Sequence, residues 1–349
     1  MTLHELLTKA VEASASDLHL IVGQPPTVRI DGGLETLDSY PPLTASDTKS
    51  LIYSVLSAPQ IKRFEYEQEF DTAYELPGLS RFRINLHYEL RNIGVAIRLI
   101  PKTVPTPSQL GFDETIYELT HLNNGLVLVT GPSGSGKSTT IAAMIDIVNT
   151  ERRAHIITIE DPIEFVFTPK QSIIEQREVD IDTHSFFAAL KRILRQDPNV
   201  IFVGEMRDLE TFRATLTAAE TGHLVFSTLH TPNAAQTVDR IIDTFPPYQQ
   251  DEARLQLSGV PRAIIAQQLV PSESGGRVAA REILINTPAV ANLIRENQIA
   301  QIPSTMQMGI KEGMRTMDLT LRQLYLAGAI SETTARNRMI DPEKLTTYF

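Results

Sequence analysis

Cysteine is absent from the 349 residues, which excludes disulfides and every thiolate metal site and fits a cytoplasmic setting. Basic runs are missing too. No more than two Lys or Arg adjoin anywhere, and 32 of them stand against 42 Asp and Glu, a formal charge of −10. Proteins that hold nucleic acid draw much of their affinity from neutralised phosphates, so no nucleic-acid partner is expected. Nor does any stretch approach the ~20 apolar residues of a membrane span. Met1 to Val11 carries Glu5 and Lys9 among its leucines, a poor core for a signal peptide. A cytoplasmic protein is expected, with no direct membrane insertion and with access to a membrane only through a partner. Internal repeats and low-complexity tracts are likewise lacking.

What is present is the makeup of a soluble globular protein, 42% hydrophobic and 21% charged, with 18 Gly and 21 Pro spread along the chain. A single hydrophobic core stops growing near ~250 residues, so two domains are expected. Residues 1–105 read as a small α/β domain. Leu3, Leu6, Leu7, Ala10 and Val11 recur at helical spacing. Short strands follow at 16–22 and 27–30, with a hairpin turn at Asp31-Gly32-Gly33. The alternating stretches 80–88 and 94–100 have the two-residue period of half-buried strands. A proline cluster, Pro101, Pro105 and Pro107, runs to Gly111 and suits a stiff linker.

Residues 106–349 carry a different pattern. The short apolar runs 126–130, 156–159, 200–203 and 224–229 suit strands buried on both faces, and helical segments separate them. A mostly parallel sheet wrapped by helices is expected, with a helical end from about 285 to 349.

The first of those runs leads into Gly131-Pro132-Ser133-Gly134-Ser135-Gly136-Lys137-Ser138, a full match to G-x-x-x-x-G-K-[ST], and a helix follows from Thr139. Such a loop lets backbone N–H groups converge on phosphate oxygens, helped by the partial positive charge of the helix start. Gly131, Ser133, Gly134, Ser135, Gly136 and Thr139 would form this cradle, Lys137 would reach the β and γ phosphates of ATP, and Ser138 would hold Mg²⁺ through its hydroxyl. Two later strands end in acidic stations, Ile159-Glu160-Asp161-Pro162-Ile163-Glu164 and Val203-Gly204-Glu205-Met206-Arg207-Asp208. In a parallel sheet both lie on the edge that carries the phosphate loop, where carboxylates can bind a metal or position a water. Glu160, Glu164 and Glu205 are the candidates.

The blocks 157–165, 197–208 and 218–231 resemble the Asp box, Walker B and His box of the type II/type IV secretion ATPases, and with the phosphate loop they fall in family order. The resemblance implies a RecA-like P-loop domain behind an N-terminal PAS-like domain, and nucleotide between the two kinds of domain in a homo-hexameric ring. Within that superfamily the chain resembles the pilus-retraction branch. Assembly and secretion members usually carry a tetracysteine module, which this chain cannot have. Ala289-Val290-Ala291-Asn292-Leu293-Ile294-Arg295-Glu296 is similar to that branch's A-I-R-N-L-I-R-E, departing at Val290 and Ala291.

The same resemblance implies an Mg-ATP-driven motor that depolymerises a pilus through an inner-membrane platform protein, acting on pilin indirectly. It places Glu205 on the Walker B glutamate and Glu164 on the Asp-box glutamate, one for the metal and one for the attacking water, with the assignment open. Gly204 stands where many P-loop enzymes carry a metal-binding aspartate, which shifts metal duty toward the glutamates. His223 and His230 flank one strand; by themselves they read most simply as hydrogen-bonded structural residues, and the resemblance implies γ-phosphate sensors. Arg83 and Arg98 match family positions that stabilise phosphoryl charge from a second domain or subunit. Two other readings stay open on the sequence: a ring that translocates nucleic acid, and a nucleotide-binding subunit that regulates a partner motor.

Overall fold

A computed structural model describes residues 1–30, 32–100 and 103–346. Asp31 of the expected hairpin turn, Pro101 of the expected linker and residues 347–349 of the expected helical end lie outside the described residues. The chain divides into two compact units, Met1–Thr103 and Val104–Phe349.

The first unit starts with α1 (Leu3–Glu12), whose capping box joins Thr2 and Glu5 and whose face Leu3, Leu6, Leu7 and Ala10 is buried. It continues through β1 (Asp17–Leu20), β2 (Thr27–Ile30), β3 (Gly33–Thr36), α2 (Ala45–Tyr53), α3 (Ala58–Glu67), β4 (Glu69–Leu76), β5 (Ser80–Glu89) and β6 (Asn92–Ile100). The strands form one sheet in the order β3-β2-β1-β6-β5-β4. Strand β5 alternates as its sequence requires: Phe82, Ile84 and Leu86 enter the core with the helical leucines, while Arg81, Arg83, Asn85 and His87 take the other face. Strand β4, EFDTAYEL, carries too many polar residues to announce itself; only Phe70, Thr72 and Leu76 are buried there.

The second unit runs through α4 (Glu114–Leu119), β7 (Gly125–Thr130), α5 (Lys137–Glu151), β8 (His155–Glu160), β9 (Ile173–Glu178), α6 (Phe186–Ile193), β10 (Val200–Val203), α7 (Leu209–Glu220), β11 (Leu224–Leu229) and α8 (Ala234–Asp243). Then come α9 (Gln250–Gly259), β12 (Pro261–Pro271), β13 (Arg277–Ile285), α10 (Pro288–Arg295), α11 (Ile302–Met308), α12 (Met317–Leu326) and α13 (Glu332–Arg338). The sheet order is β13-β12-β7-β11-β10-β8-β9. Every neighbouring pair is parallel except β12 with β13.

Helices cover both faces. Leu126, Leu128, Ile157, Ile201 and Val225 pack on α6 to α11, while Val127, Val129, Ile156, Val200 and Phe226 pack on α4 and α5. That is why these strands read as unbroken apolar runs. The Val290 departure in α10 is buried and keeps an aliphatic anchor, whereas Ala291 is only half-buried. Buried Glu282 on β13 ties two distant helices together: Oε1 accepts from Ala234 N of α8 at 2.8 Å and Oε2 from Met317 N of α12 at 3.4 Å. Burial raises its carboxyl above the usual range, against these two hydrogen bonds.

Leu128 is fully buried and Leu34 is 58% exposed. Leu128→Ala should therefore cost about 2–5 kcal/mol in urea unfolding, while Leu34→Ala stays within about 0.5 kcal/mol of the parent.

Candidate active site

The loop after β7 is shaped by its glycines. Gly131 has φ 143°, and a Cβ there would lie 2.2 Å from Gln267 O. Gly136, at φ 84°, is the N-cap of α5, and a Cβ on it would sit 3.0 Å from Gln267 Nε2. Gly134 at φ 75° faces open space. The loop can thus turn sharply, press against β12 on one side and keep the other side open, a cradle suited to phosphate oxygens. Ser133 and Gly134 are exposed, whereas Ser138 and Thr139 are half-buried in the first turn of α5. Ser135 Oγ is buried without a hydrogen-bond partner among the described residues.

Lys137 is 8% exposed. Its ammonium folds back on the loop, donating to Gly131 O at 2.8 Å and Pro132 O at 3.0 Å. Burial pulls it below the ordinary lysine range, opposed by the charges of Glu164 and Glu205. The ring of His230, which follows β11, lies between cation and acid: Nδ1 is 3.4 Å from Lys137 Nζ and Nε2 is 3.4 Å from Glu205 Oε2. Arg207 pairs with the other Glu205 oxygen. Thr228 Oγ1 donates to Gly204 O at 2.6 Å and so fixes the backbone beside Glu205. Lys137, Glu205 and His230, 93 residues apart at the extremes, are therefore one cluster.

The three acids are not equivalent. Glu164 is exposed beyond the end of β8. Glu160 is 5% exposed and occupied internally. Its Oε1 accepts from Thr158 Oγ1 at 2.6 Å and Gln176 Nε2 at 3.2 Å, and Oε2 from Glu164 N at 3.5 Å. Burial pushes its carboxyl up to about 7 in spite of those bonds. The glycine at 204 has a steric reason, since a Cβ there would lie 3.2 Å from Ile159 O and 3.4 Å from Glu160 Cα. An aspartate would crowd β8.

His223 lies at the other edge of the sheet. It precedes β11, and its carbonyl accepts from Gly125 N at 3.0 Å, so it sits where β7 begins, with its ring 2.9 Å from Ala218 O. Six strand residues separate that edge from the loop, about 20 Å. Within one chain it does not reach the phosphate cradle. A seven-residue spacing across a six-residue strand puts its two ends on opposite edges of the sheet.

Arg83 and Arg98 belong to the first unit, opposite each other on β5 and β6. Arg83 is 3.8 Å from Asp71, and Arg98 donates to Asp17 at 3.0 Å. Sequence reading missed Gln267 and Arg281. Gln267 underlies the loop from β12, and its Oε1 accepts from Arg281 Nε at 2.7 Å. No local motif flags either, because strand pairing alone brings them to the loop.

A glycine loop between a buried strand and a helix, with Lys137 at the junction and acids on neighbouring strand ends, defines a P-loop nucleoside triphosphatase with a RecA-like parallel sheet. Residues 91–312 match the family described as type II/IV secretion system protein. The chain is 48% identical over 343 residues to the type IV pilus retractation ATPase PilT of Pseudomonas aeruginosa, covering 98% of this chain and 99% of that protein. It is 47% identical over 322 residues to the twitching motility protein of Neisseria gonorrhoeae, covering 92% and 86%. A solved structure of the pilus retraction motor PilT with bound ADP superposes with a TM-score of 0.93 at 48% identity, over 99% of this chain and 98% of that one. The chain belongs to the type II/IV secretion ATPase family. Among its described residues no helix is long and apolar enough to cross a membrane.

Gly131→Ala should disturb the cradle most directly, since it combines a forbidden φ with a backbone clash. Strain of about 1–3 kcal/mol predicts roughly ten-fold weaker binding of a fluorescent ADP analogue, with the far-ultraviolet circular dichroism unchanged.

Proposed function

We propose that this chain is the ATP-driven motor of type IV pilus retraction, working as a homo-hexamer in the cytoplasm and docked on an inner-membrane platform protein, with pilin as its indirect cargo. The observation that carries this reading is end-to-end likeness to a retraction ATPase together with the Lys137, Glu205 and His230 cluster beside an open phosphate cradle. The zero cysteine count and the charge of −10 also agree with it.

In this reading the loop amides and Lys137 hold the terminal phosphates of ATP, Lys137 exchanging its two loop carbonyls for phosphate oxygens. Glu205 directs water, because it lies beside Lys137 and is held by His230. His230 reports the γ-phosphate, being the side chain placed between cation and acid. Ser138 and Glu164 would supply oxygen donors to Mg²⁺. Among the described residues no group of three or more His, Asp or Glu converges into a cation site of its own, so the ion would come with the phosphates. When bound, Mg²⁺ would neutralise charge developing on the transferred phosphoryl group. Arg83 and Arg98 would serve a nucleotide held by another subunit, releasing Asp71 and Asp17.

Glu205→Gln is expected to keep ring assembly by light scattering and to lose most steady-state phosphate release, about 100-fold or more. Normal hydrolysis in that variant would move the water-directing role to Glu164, and turnover stimulated by DNA would favour translocation of nucleic acid. Lys137→Ala should abolish Mg-ATP binding; equal affinity in that variant would end the motor reading.

A further inference from the structure

The open side of the phosphate loop accounts for its motif, but its underside is equally specific. Gln267 is 3% exposed on β12, beyond the point where Ala266 pairs with Thr130 at the end of β7. Its side chain uses both ends. Nε2 donates to Ser135 O at 2.6 Å, and Oε1 accepts from Thr140 Oγ1 at 2.8 Å and from Arg281 Nε at 2.7 Å.

The amide can sit only one way round. An arginine has donors and no acceptors, so flipping Gln267 would set its NH₂ against the Arg281 guanidinium and its oxygen against the Ser135 carbonyl. Arg281 is itself immobilised. It is 4% exposed, stacks over the Phe112 ring at 5.2 Å, donates to Gly111 O at 3.3 Å, and its backbone carbonyl accepts from Thr320 Oγ1 at 2.6 Å.

The contact at Ser135 bears on ligand binding through peptide geometry. In a planar trans peptide the C=O and the following N–H point in opposite directions. Holding Ser135 O down onto Gln267 therefore turns the Gly136 N–H away from β12, toward the open side. The contact at Thr140 pins the first turn of α5, so one side chain spans the loop and the helix it leads into. The glycines at 131 and 136 both press on this same residue.

We propose that Gln267, oriented by Arg281, is a positioning residue for nucleotide binding that braces the phosphate loop in its binding shape before the phosphates arrive. This rests on the reading of that loop as the nucleotide site. The brace lowers the ordering cost of binding and acts on affinity more than on the chemical step.

The test compares wild type, Lys137→Ala, Gln267→Met, Arg281→Met and the Gln267→Met/Arg281→Met pair by titration with a fluorescent ADP analogue, steady-state ATPase kinetics and thermal melting. Gln267→Met should weaken ADP binding about ten-fold and raise KM by a similar factor, with kcat within about three-fold of wild type. Arg281→Met should weaken ADP binding too, and the double variant should bind no worse than Gln267→Met, because Arg281 acts through the amide. If Gln267→Met does not fold, Gln267→Glu keeps the acceptor for Thr140 and Arg281 but sets a carboxylate oxygen against Ser135 O, and the same affinity loss is expected. Affinity within two-fold of wild type despite a lowered melting temperature would overturn the proposal, as would independent, multiplying losses from the two positions. Wild type that fails to bind ADP at all, or binds it no better than Lys137→Ala, would instead overturn the reading of the loop.

Discussion

The active site depends on the parallel pairing of β7, β8, β10 and β11. Parallel strands end on a common edge. Lys137, Glu164, Glu205 and His230 come from four separate stretches of sequence, and each follows directly on one of those strands. Their approach needs no long-range design beyond strand order. The apolar runs that bury the sheet on both faces are thus also what holds an imidazole 3.4 Å from a cation on one side and 3.4 Å from a carboxylate on the other. Such contacts are stable only because the groups are mutually compensating: a lone ammonium as buried as Lys137 would favour its neutral form.

Legibility in the sequence followed locality. The phosphate loop could be read because its chemistry is written in eight consecutive residues, and the flanking strand and helix carry their own periodicities. Strands β5, β7, β10 and β11 were readable for the same reason, with alternating or continuous apolar residues over four to ten positions. Strand β4 was not, because its exposed face and partly polar inner face blur the two-residue period. His223 and His230 stand at opposite ends of β11, because a motif gives order along the chain but not the side of the sheet. Gln267 was invisible because its partners, Ser135 and Thr140, lie more than a hundred residues away, and Arg281 because it meets the loop through Gln267. Such a residue becomes meaningful only once β12 is known to lie beside β7.

The acidic side of the site follows from crowding. Strand β10 ends against β8 so closely that position 204 holds a glycine, which removes one carboxylate from the inner row. Glu160, on the neighbouring strand, is enclosed by Thr158 and Gln176 and rises toward neutrality. Of the three candidate glutamates, two remain with access to the open edge, Glu205 from β10 and Glu164 from the turn after β8. Packing between adjacent strands has narrowed which carboxylates are available to a ligand, and it did so through backbone distance rather than through charge.

Glu282 gives the second unit a hinge pin. One carboxylate serves the opening turns of two helices, α8 directly downstream of His230 and α12 far toward the C-terminus. Neither helix can swing away alone without stripping a hydrogen bond from a buried carboxyl group. A displacement of the segment behind His230 that kept both bonds would have to carry the start of α12 with it.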